Sequence, residues 1–251
     1  MEDAELLGKR FIELAKRSYN SGIYTFTDFL GLAEQSVFDS IKKSIHGIPY
    51  KLFGGAEGAE RVMVRFGNED DLGYVVPFPI VCIKAEPVSQ KFADKLTHRD
   101  FLGALLNLGI ERSTLGDIPI LENVGYIFAS EEIAPFIISE LTRVKRTEVR
   151  LSLVEELPEG ELYKTERKTV QISGERLDAI IARVFSLSRE DAQSLFCKKL
   201  VFVSGKQCES TSYQPKENET VSVRGHGRFI YRGFVSNSKK GKLNVEVDVY
   251  V

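Results

Sequence analysis

Residues Gly174 to Lys206 read GERLDAIIARVFSLSREDAQSLFCKKLVFVSGK, and this stretch decides the fold of the C-terminal third of the chain. Leu177, Ile180, Ile181 and Val184 recur at the spacing of a helix with one apolar stripe. Arg176 and Asp178 open that helix. Ser188-Arg189 opens a second, with Ser188 where a hydroxyl can cap free amides, and Ala192, Leu195 and Phe196 repeat the stripe. Leu200, Val201 and Val203 then read as a short strand, and Ser204-Gly205-Lys206 as a tight turn after it. Thr220 to Arg224 is a further strand that leads into the glycine-flanked run Arg224-Gly-His-Gly-Arg-Phe229. Phe229–Ser236 and Leu243–Val251, joined across Asn237–Lys242, read as a closing hairpin with Phe229, Tyr231 and Phe234 on one strand face.

Charge separates this region from the rest. Residues 164–232 hold 13 Lys and Arg against 8 Asp and Glu, and residues 233–251 hold 3 against 2. The chain as a whole is −2, so residues 1–163 carry −8. A basic back half behind an acidic front is the footprint expected where one part of a chain meets phosphate.

Upstream, Leu6, Leu7, Phe11, Leu14 and Ala15 form one apolar helical face. Phe29 to Ile41 form another after the Ser21-Gly22 break. The glycine loop Leu52–Gly58 follows, and no Lys-Ser or Lys-Thr follows it in the register of a phosphate loop. Arg61–Phe66 and Pro79–Glu86 read as strands. His98–Leu108 reads as a helix between Thr97 and Gly109. Asp117–Leu121 and Val124–Ala129 read as strands joined by Glu122-Asn123. A helix runs from a Ser130 cap to Leu141, with Pro135 as a flaw, and Glu148–Val154 is a final strand. From Pro79 on, this strand-helix-strand-strand-helix-strand order is that of the split βαβ, ferredoxin-like (RRM-like) unit. Pro158-Glu-Gly160 and the charged run Lys164–Lys168 then read as a linker into the basic module. The expected division is a helical region over 1–50, an α/β domain over 51–160 and a basic module over 164–251, an α+β protein overall.

The two-helix, strand and turn order of residues 174–206 resembles the S-four RNA-binding domain, a module with an αα/β core that grips structured RNA. Two positions depart from that pattern: Lys199 stands where a helix-closing glycine is usual, and Ser204-Gly205 stands for Asn-Gly in the turn. The run Lys95-Leu-Thr-His-Arg-Asp-Phe-Leu-Gly-Ala-Leu-Leu-Asn-Leu-Gly-Ile-Glu-Arg-Ser-Thr-Leu-Gly-Asp-Ile118, followed by a split βαβ and a basic module ending in RGHGRF, closely resembles the YlmH family of bacterial RNA-binding proteins. That resemblance implies a non-catalytic protein that binds large-subunit ribosomal RNA and tRNA. On the ribosome it would hold peptidyl-tRNA on stalled subunits during ribosome-associated quality control. The implied RNA contacts are Arg176, Ser188, Arg189, Lys198, Lys199, Ser204, Gly205, Lys206, Arg224 and Arg228. Arginine suits bidentate phosphate pairing and base stacking.

Two other readings stay open. The acidic front could make the chain a protein-interaction adaptor linked to cell division, with unidentified protein partners. Arg176-Leu-Asp178 also resembles the short motif that holds the catalytic Asp of pseudouridine synthases, although the module is short for a nucleoside pocket. His98, Arg99 and Asp100 are adjacent and diverge on a helix, and no His, Cys or Glu pair has metal-ligand spacing. No cofactor is expected. No apolar run reaches the roughly 20 residues of a membrane span. Cys82 and Cys197 fall in apolar patterns and read as buried thiols, which fits a reducing, cytoplasmic setting.

Overall fold

A computed structural model describes residues 2–157, 162–238 and 241–250. It divides into two compact units, Met1–Leu162 and Tyr163–Val251. The linker expected at Pro158–Gly160 and the middle of the Asn237–Lys242 hairpin tip lie outside the described residues.

The first unit begins with α1 (Glu2–Ser21), β1 (Thr25–Phe26) and α2 (Leu32–Ile41). β2 (Tyr50–Phe53) and β3 (Met63–Phe66) complete a three-stranded antiparallel sheet in the order β1-β3-β2. Phe11, Leu14 and Ala15 of α1 bury against Phe38, Val64 and Phe66. The strand expected at Arg61–Phe66 therefore belongs with the N-terminal helices rather than with the strands that follow it. Gly55 explains part of the glycine loop. It has φ +97°, and a Cβ there would stand 2.3 Å from the ring of Phe128, so the loop is pinned by close approach.

After the one-turn α3 (Glu69–Leu72) come β4 (Ile80–Pro87), α4 (His98–Asn107), β5 (Ile120–Leu121) and β6 (Val124–Ser130). α5 (Ala134–Glu140), β7 (Arg143–Val144) and β8 (Thr147–Leu153) close the unit. The antiparallel sheet has the order β5-β6-β4-β8-β7, which sets the first long strand between the two that come later. Phe101 and Leu105 of α4 and Ala134 and Ile137 of α5 pack on Ile83, Ala85, Ile127 and Ala129. Glu122 and Asn123 join β5 to β6 with φ of 49° and 67°, the pair of positive values that a two-residue hairpin turn requires. α5 starts four residues after Ser130, and Pro135 lies in its first turn. There the missing N–H has no intrahelical partner to lose, so Pro135 starts the helix rather than flawing it. Asp100 accepts from the Thr97 amide at 2.8 Å and hydroxyl at 2.6 Å, which ties down the start of α4.

The second unit contains β9 (Thr165–Ile172), α6 (Leu177–Val184), α7 (Arg189–Cys197), β10 (Val201–Val203) and β11 (Lys206–Gln207). The charged run Lys164–Lys168, expected as linker, instead lies largely in β9, because Thr165–Ile172 pairs along its length with the last strand, Leu243–Tyr250. β12 (Thr220–Val223), β13 (Gly227–Asn237) and β14 (Leu243–Tyr250) follow. They form one six-stranded antiparallel sheet, β11-β10-β12-β13-β14-β9. The apolar stripes of α6 and α7 cover one face, where Leu177, Ile180, Ile181 and Phe196 meet Val201, Val221, Phe229, Tyr231 and Val247. Phe229 and Tyr231 belong to that face, but Phe234 is 48% exposed. A register shift between Tyr231 and Gly233 breaks the alternation before it, and a second follows between Phe234 and Ser236. Cys82 is buried as expected and Cys208 is buried too, but Cys197, expected to be buried, is exposed.

Candidate RNA interface

Asp178 organises the start of both helices. Its side chain has 0% exposure and accepts four side-chain hydrogen bonds. Arg176 donates from Nε to Oδ1 at 3.2 Å and from Nη2 to Oδ2 at 3.1 Å. Arg189 Nη2 and Gln193 Nε2 each reach Oδ2 at 3.0 Å. Burial alone pushes this carboxyl up. The hydrogen bonds from Arg176 and Gln193 and the charges of Arg189 and Arg176 outweigh it and hold the pKa below the usual carboxylate range. The Arg176 guanidinium is raised in turn by its bond to Asp178. Asp178 braces these side chains rather than capping α6. The first amides of α6 are satisfied by loop carbonyls, Leu177 N–H by Tyr213 at 2.8 Å and Asp178 N–H by Thr211 at 3.2 Å.

The result is two arginines fixed on one buried carboxylate, with 45% and 47% of their side chains still exposed. Ser188 stands beside them as the N-cap of α7. Its Oγ accepts from the Asp191 amide at 3.0 Å and donates to the Asp191 carboxylate at 2.6 Å. The hydroxyl hydrogen is thus already committed, and an RNA phosphate would meet the guanidinium groups first.

The remaining sequence-derived residues fall into three further groups. Lys198 and Lys199 end α7, and the Arg224 amide bonds to the Leu200 carbonyl at 3.0 Å, which brings these cations to one end of β10. Lys199 adopts φ +57°. The Lys199 N–H bonds to the Phe196 carbonyl at 2.9 Å and the Leu200 N–H to the Leu195 carbonyl at 3.0 Å. This is the two-bond helix ending that normally uses glycine, made here with lysine. Ser204 (φ 48°) and Gly205 (φ 79°) turn β10 into β11 at the far end of that strand, with Lys206 exposed beside them. Serine therefore serves where Asn-Gly is preferred.

Arg228 is separate. It precedes the core residue Phe229 and points to the helix-free face, with its guanidinium 3.8 Å from the ring centre of Tyr250 and 4.9 Å from that of Tyr163. Arg224 lies 5.4 Å over Phe202.

The same face carries a second clamp that the sequence reading passed over. Asp248, 5% exposed, accepts from Arg167 at 2.8 and 3.2 Å and from Arg232 at 2.6 Å. The hydrogen bond from Arg167 depresses its pKa against the opposing effect of burial. Two acids at alternating positions, Glu246 and Asp248, within the run Val245-Glu-Val-Asp-Val249 were the available signal. Gln193 was also missed, since one turn into α7 it reads as an ordinary surface residue.

In the first unit the helix-free face of the central sheet is polar. Lys84 pairs in register with Tyr126 on one side and Ser152 on the other, and Glu86 with Arg150. Lys84 and Glu86 form an ion pair at 2.8 Å. Among the described residues there is no cluster of His, Cys, Asp and Glu able to hold a metal, and no helix long and apolar enough to cross a membrane.

The fold and these surfaces define a mixed α+β protein with an open-faced antiparallel sheet at its centre and a basic helix-and-sheet unit after it. Residues 79–157 match the family model described as the putative RNA-binding domain in YlmH. The Bacillus subtilis (strain 168) ribosome-associated protein quality control protein P2 is 29% identical over 227 residues, covering 87% of this chain and 84% of that one. The chain is similar to YlmH proteins over this central stretch and to that relative over most of its length. A solved structure, the cell division protein ylmH from Streptococcus pneumoniae, aligns with a TM-score of 0.48 at 24% identity, over 61% of this chain and 92% of that one.

Proposed function

We propose that the protein is a non-catalytic RNA-binding factor of ribosome-associated quality control. Its C-terminal unit works as an S-four-type module, and its central unit works as a ferredoxin-like, RRM-like domain. It binds ribosomal RNA and tRNA on the large subunit and holds peptidyl-tRNA on stalled subunits in the cytoplasm. The observation that carries this reading is the Asp178 clamp. Fixing Arg176 and Arg189 on a buried carboxylate removes most of the entropy that free arginines would lose on meeting phosphate. The matched RNA-binding domain description and the name of the B. subtilis relative support the same assignment. So does the chemistry of Asp178, whose oxygens are engaged by three neighbours and whose depressed pKa stabilises an anion that holds arginines.

The test is a salt titration of full-length protein binding to tRNA and to large-subunit ribosomal RNA. Affinity falls steeply with salt, and Arg189→Gln combined with Lys206→Gln weakens it. Each lost charged contact costs about 1.5–3 kcal/mol, or roughly tenfold or more. Salt-independent binding, or an unchanged double variant, sinks the assignment. The non-catalytic part is tested separately. Ribosomal RNA and tRNA from a deletion strain carry the same pseudouridines as the parent, and a site lost there and restored by wild type but not by Asp178→Asn overturns it.

A further inference from the structure

Between α6, the start of α7 and the end of β9 lies an open cavity of about 280 Å³. Ile172, Ala179, Ala182 and Leu187 supply its apolar lining, Ser173 adds a hydroxyl, and Arg183, Arg189 and Lys242 supply the charge. No carboxylate lines it. Among the described residues neither Arg183 nor Lys242 takes part in an ion pair, while Arg189 already leans on Asp178. Three cations around a recess partly lined by aliphatic side chains is an arrangement that a bare anion does not explain. A phosphate alone gains nothing from the aliphatic lining, and an apolar side chain gains nothing from the cations. A nucleotide presents both, a flat ring with little polarity on its faces and a phosphate at fixed distance from it. The volume lies just below that of most ligand pockets, roughly 300–1,000 Å³, so it suits one ring system and not a folded element.

We propose that this cavity receives one unstacked nucleotide of the bound RNA, its base against Ala179, Ala182 and Leu187 and its phosphate between Arg183, Arg189 and Lys242. The inference rests on the RNA-binding reading above and makes it more specific. The protein selects RNA with an extruded nucleotide, such as a bulge, over continuous duplex. Single-stranded bulges and loops are where bases can be splayed out and stacked on arginine planes. Arg189 belongs to both the clamp and the cavity, so the general phosphate contact and the selective one are joined through a single side chain.

The experiment uses full-length protein and a set of hairpin RNAs. One is fully paired; four carry a single-nucleotide bulge, one for each base; one carries an abasic residue at the bulge. A further probe has 2-aminopurine there. Bulged hairpins bind at least tenfold tighter than the paired one, the abasic bulge loses that advantage, and 2-aminopurine emission changes on binding. Ala182→Leu, which fills the cavity, abolishes the preference but leaves paired affinity in place. Should Ala182→Leu fail a circular-dichroism melt, the exposed Arg183→Gln is read instead and reduces the preference. Equal binding of paired and bulged RNA overturns the cavity assignment and leaves the RNA-binding reading standing. So does an abasic bulge that binds as well as an intact one. Failure to bind any of these RNAs, together with tRNA and ribosomal RNA, removes both.

Discussion

Two residues concentrate the physical interest of the C-terminal unit. Asp178 is a buried anion that exists to be paired. Asp178→Asn keeps its shape but places amide hydrogens against guanidinium donors, so the variant loses about 1–3 kcal/mol. This exceeds a simple lost cap, since Asn leaves one acceptor oxygen and no negative charge for the donors of Arg176, Arg189 and Gln193. The sign of the pH dependence follows from the depressed pKa. The folded carboxylate is favoured above the unfolded value of about 4 and is protonated only as pH falls through its lower folded value. The clamp therefore stabilises fully above about pH 4 and is lost in acid, with Asp248 adding in the same direction. Melting temperature against pH should flatten in Asp178→Asn, and an unchanged profile would show that the clamp adds nothing to folding. Lys199 poses a different choice. A left-handed side-chain residue costs about 1–2 kcal/mol, part of which glycine returns as unfolded-state entropy. Lys199→Gly therefore stabilises the protein by about 0.5–1 kcal/mol in a thermal melt while lowering RNA affinity. A variant that moved both quantities the same way would refute that account.

At the scale of elements, helix periodicity and turn chemistry made most of the C-terminal unit legible. The two stripes placed α6 and α7, and Ser204-Gly205 placed the β10–β11 turn, because those patterns are local. Ser188 was read as a contact from the same local logic, yet its hydroxyl is spent on Asp191, a detail of rotamer and not of spacing. The grouping of the candidate contacts was not legible. Arg176 and Arg189 are separated by a helix and meet only through Asp178. Arg228 sits four residues from Arg224 and yet lies over other rings, Tyr250 and Tyr163 rather than Phe202, because the chain reverses at the glycine turn between them. Register shifts within β13 hid the exposure of Phe234, and the strand at Arg61–Phe66 was grouped with the α/β region rather than with the N-terminal helices because pairing partners are non-local. Arg228 stacks so closely on Tyr250 that Tyr250→Ala should release it. The expected loss is about 0.5–2 kcal/mol of stability, read by chemical denaturation, with salt dependence of RNA binding little changed.

At the scale of the whole chain, the acidic first unit needs its own cohesion. Arg61 supplies it. Its guanidinium donates to the carbonyls of Phe29 at 2.8 Å, Arg112 at 3.0 Å and Leu115 at 2.9 Å. Asp117 accepts from the amides of Glu60 at 2.6 Å and Arg61 at 3.2 Å. Desolvation and the nearby Arg61 charge lower the Arg112 pKa to about 10, a sign of how closely the two guanidiniums are held. The Lys95–Ile118 run thus earns its sequence distinctiveness as a staple between the N-terminal helices and the central sheet. Asp117→Ala should cost about 1–3 kcal/mol and speed amide exchange at Glu60 and Arg61 before it affects α4. Unchanged exchange there would place the cohesion elsewhere.

The unequal burial of the three thiols has a practical side. Burial pushes Cys82 up to about 12 and raises Cys208 as well, so neither is a ready nucleophile near neutral pH. Cys197, exposed on the last turn of α7, adjoins Lys198 and Lys199. The native chain therefore carries its own attachment point for a photo-crosslinker or a spin label, with no cysteine to remove or add. RNA captured from that position would be tagged within a side chain's reach of the helix-end cations, and sequencing it would map the footprint of the wild-type protein.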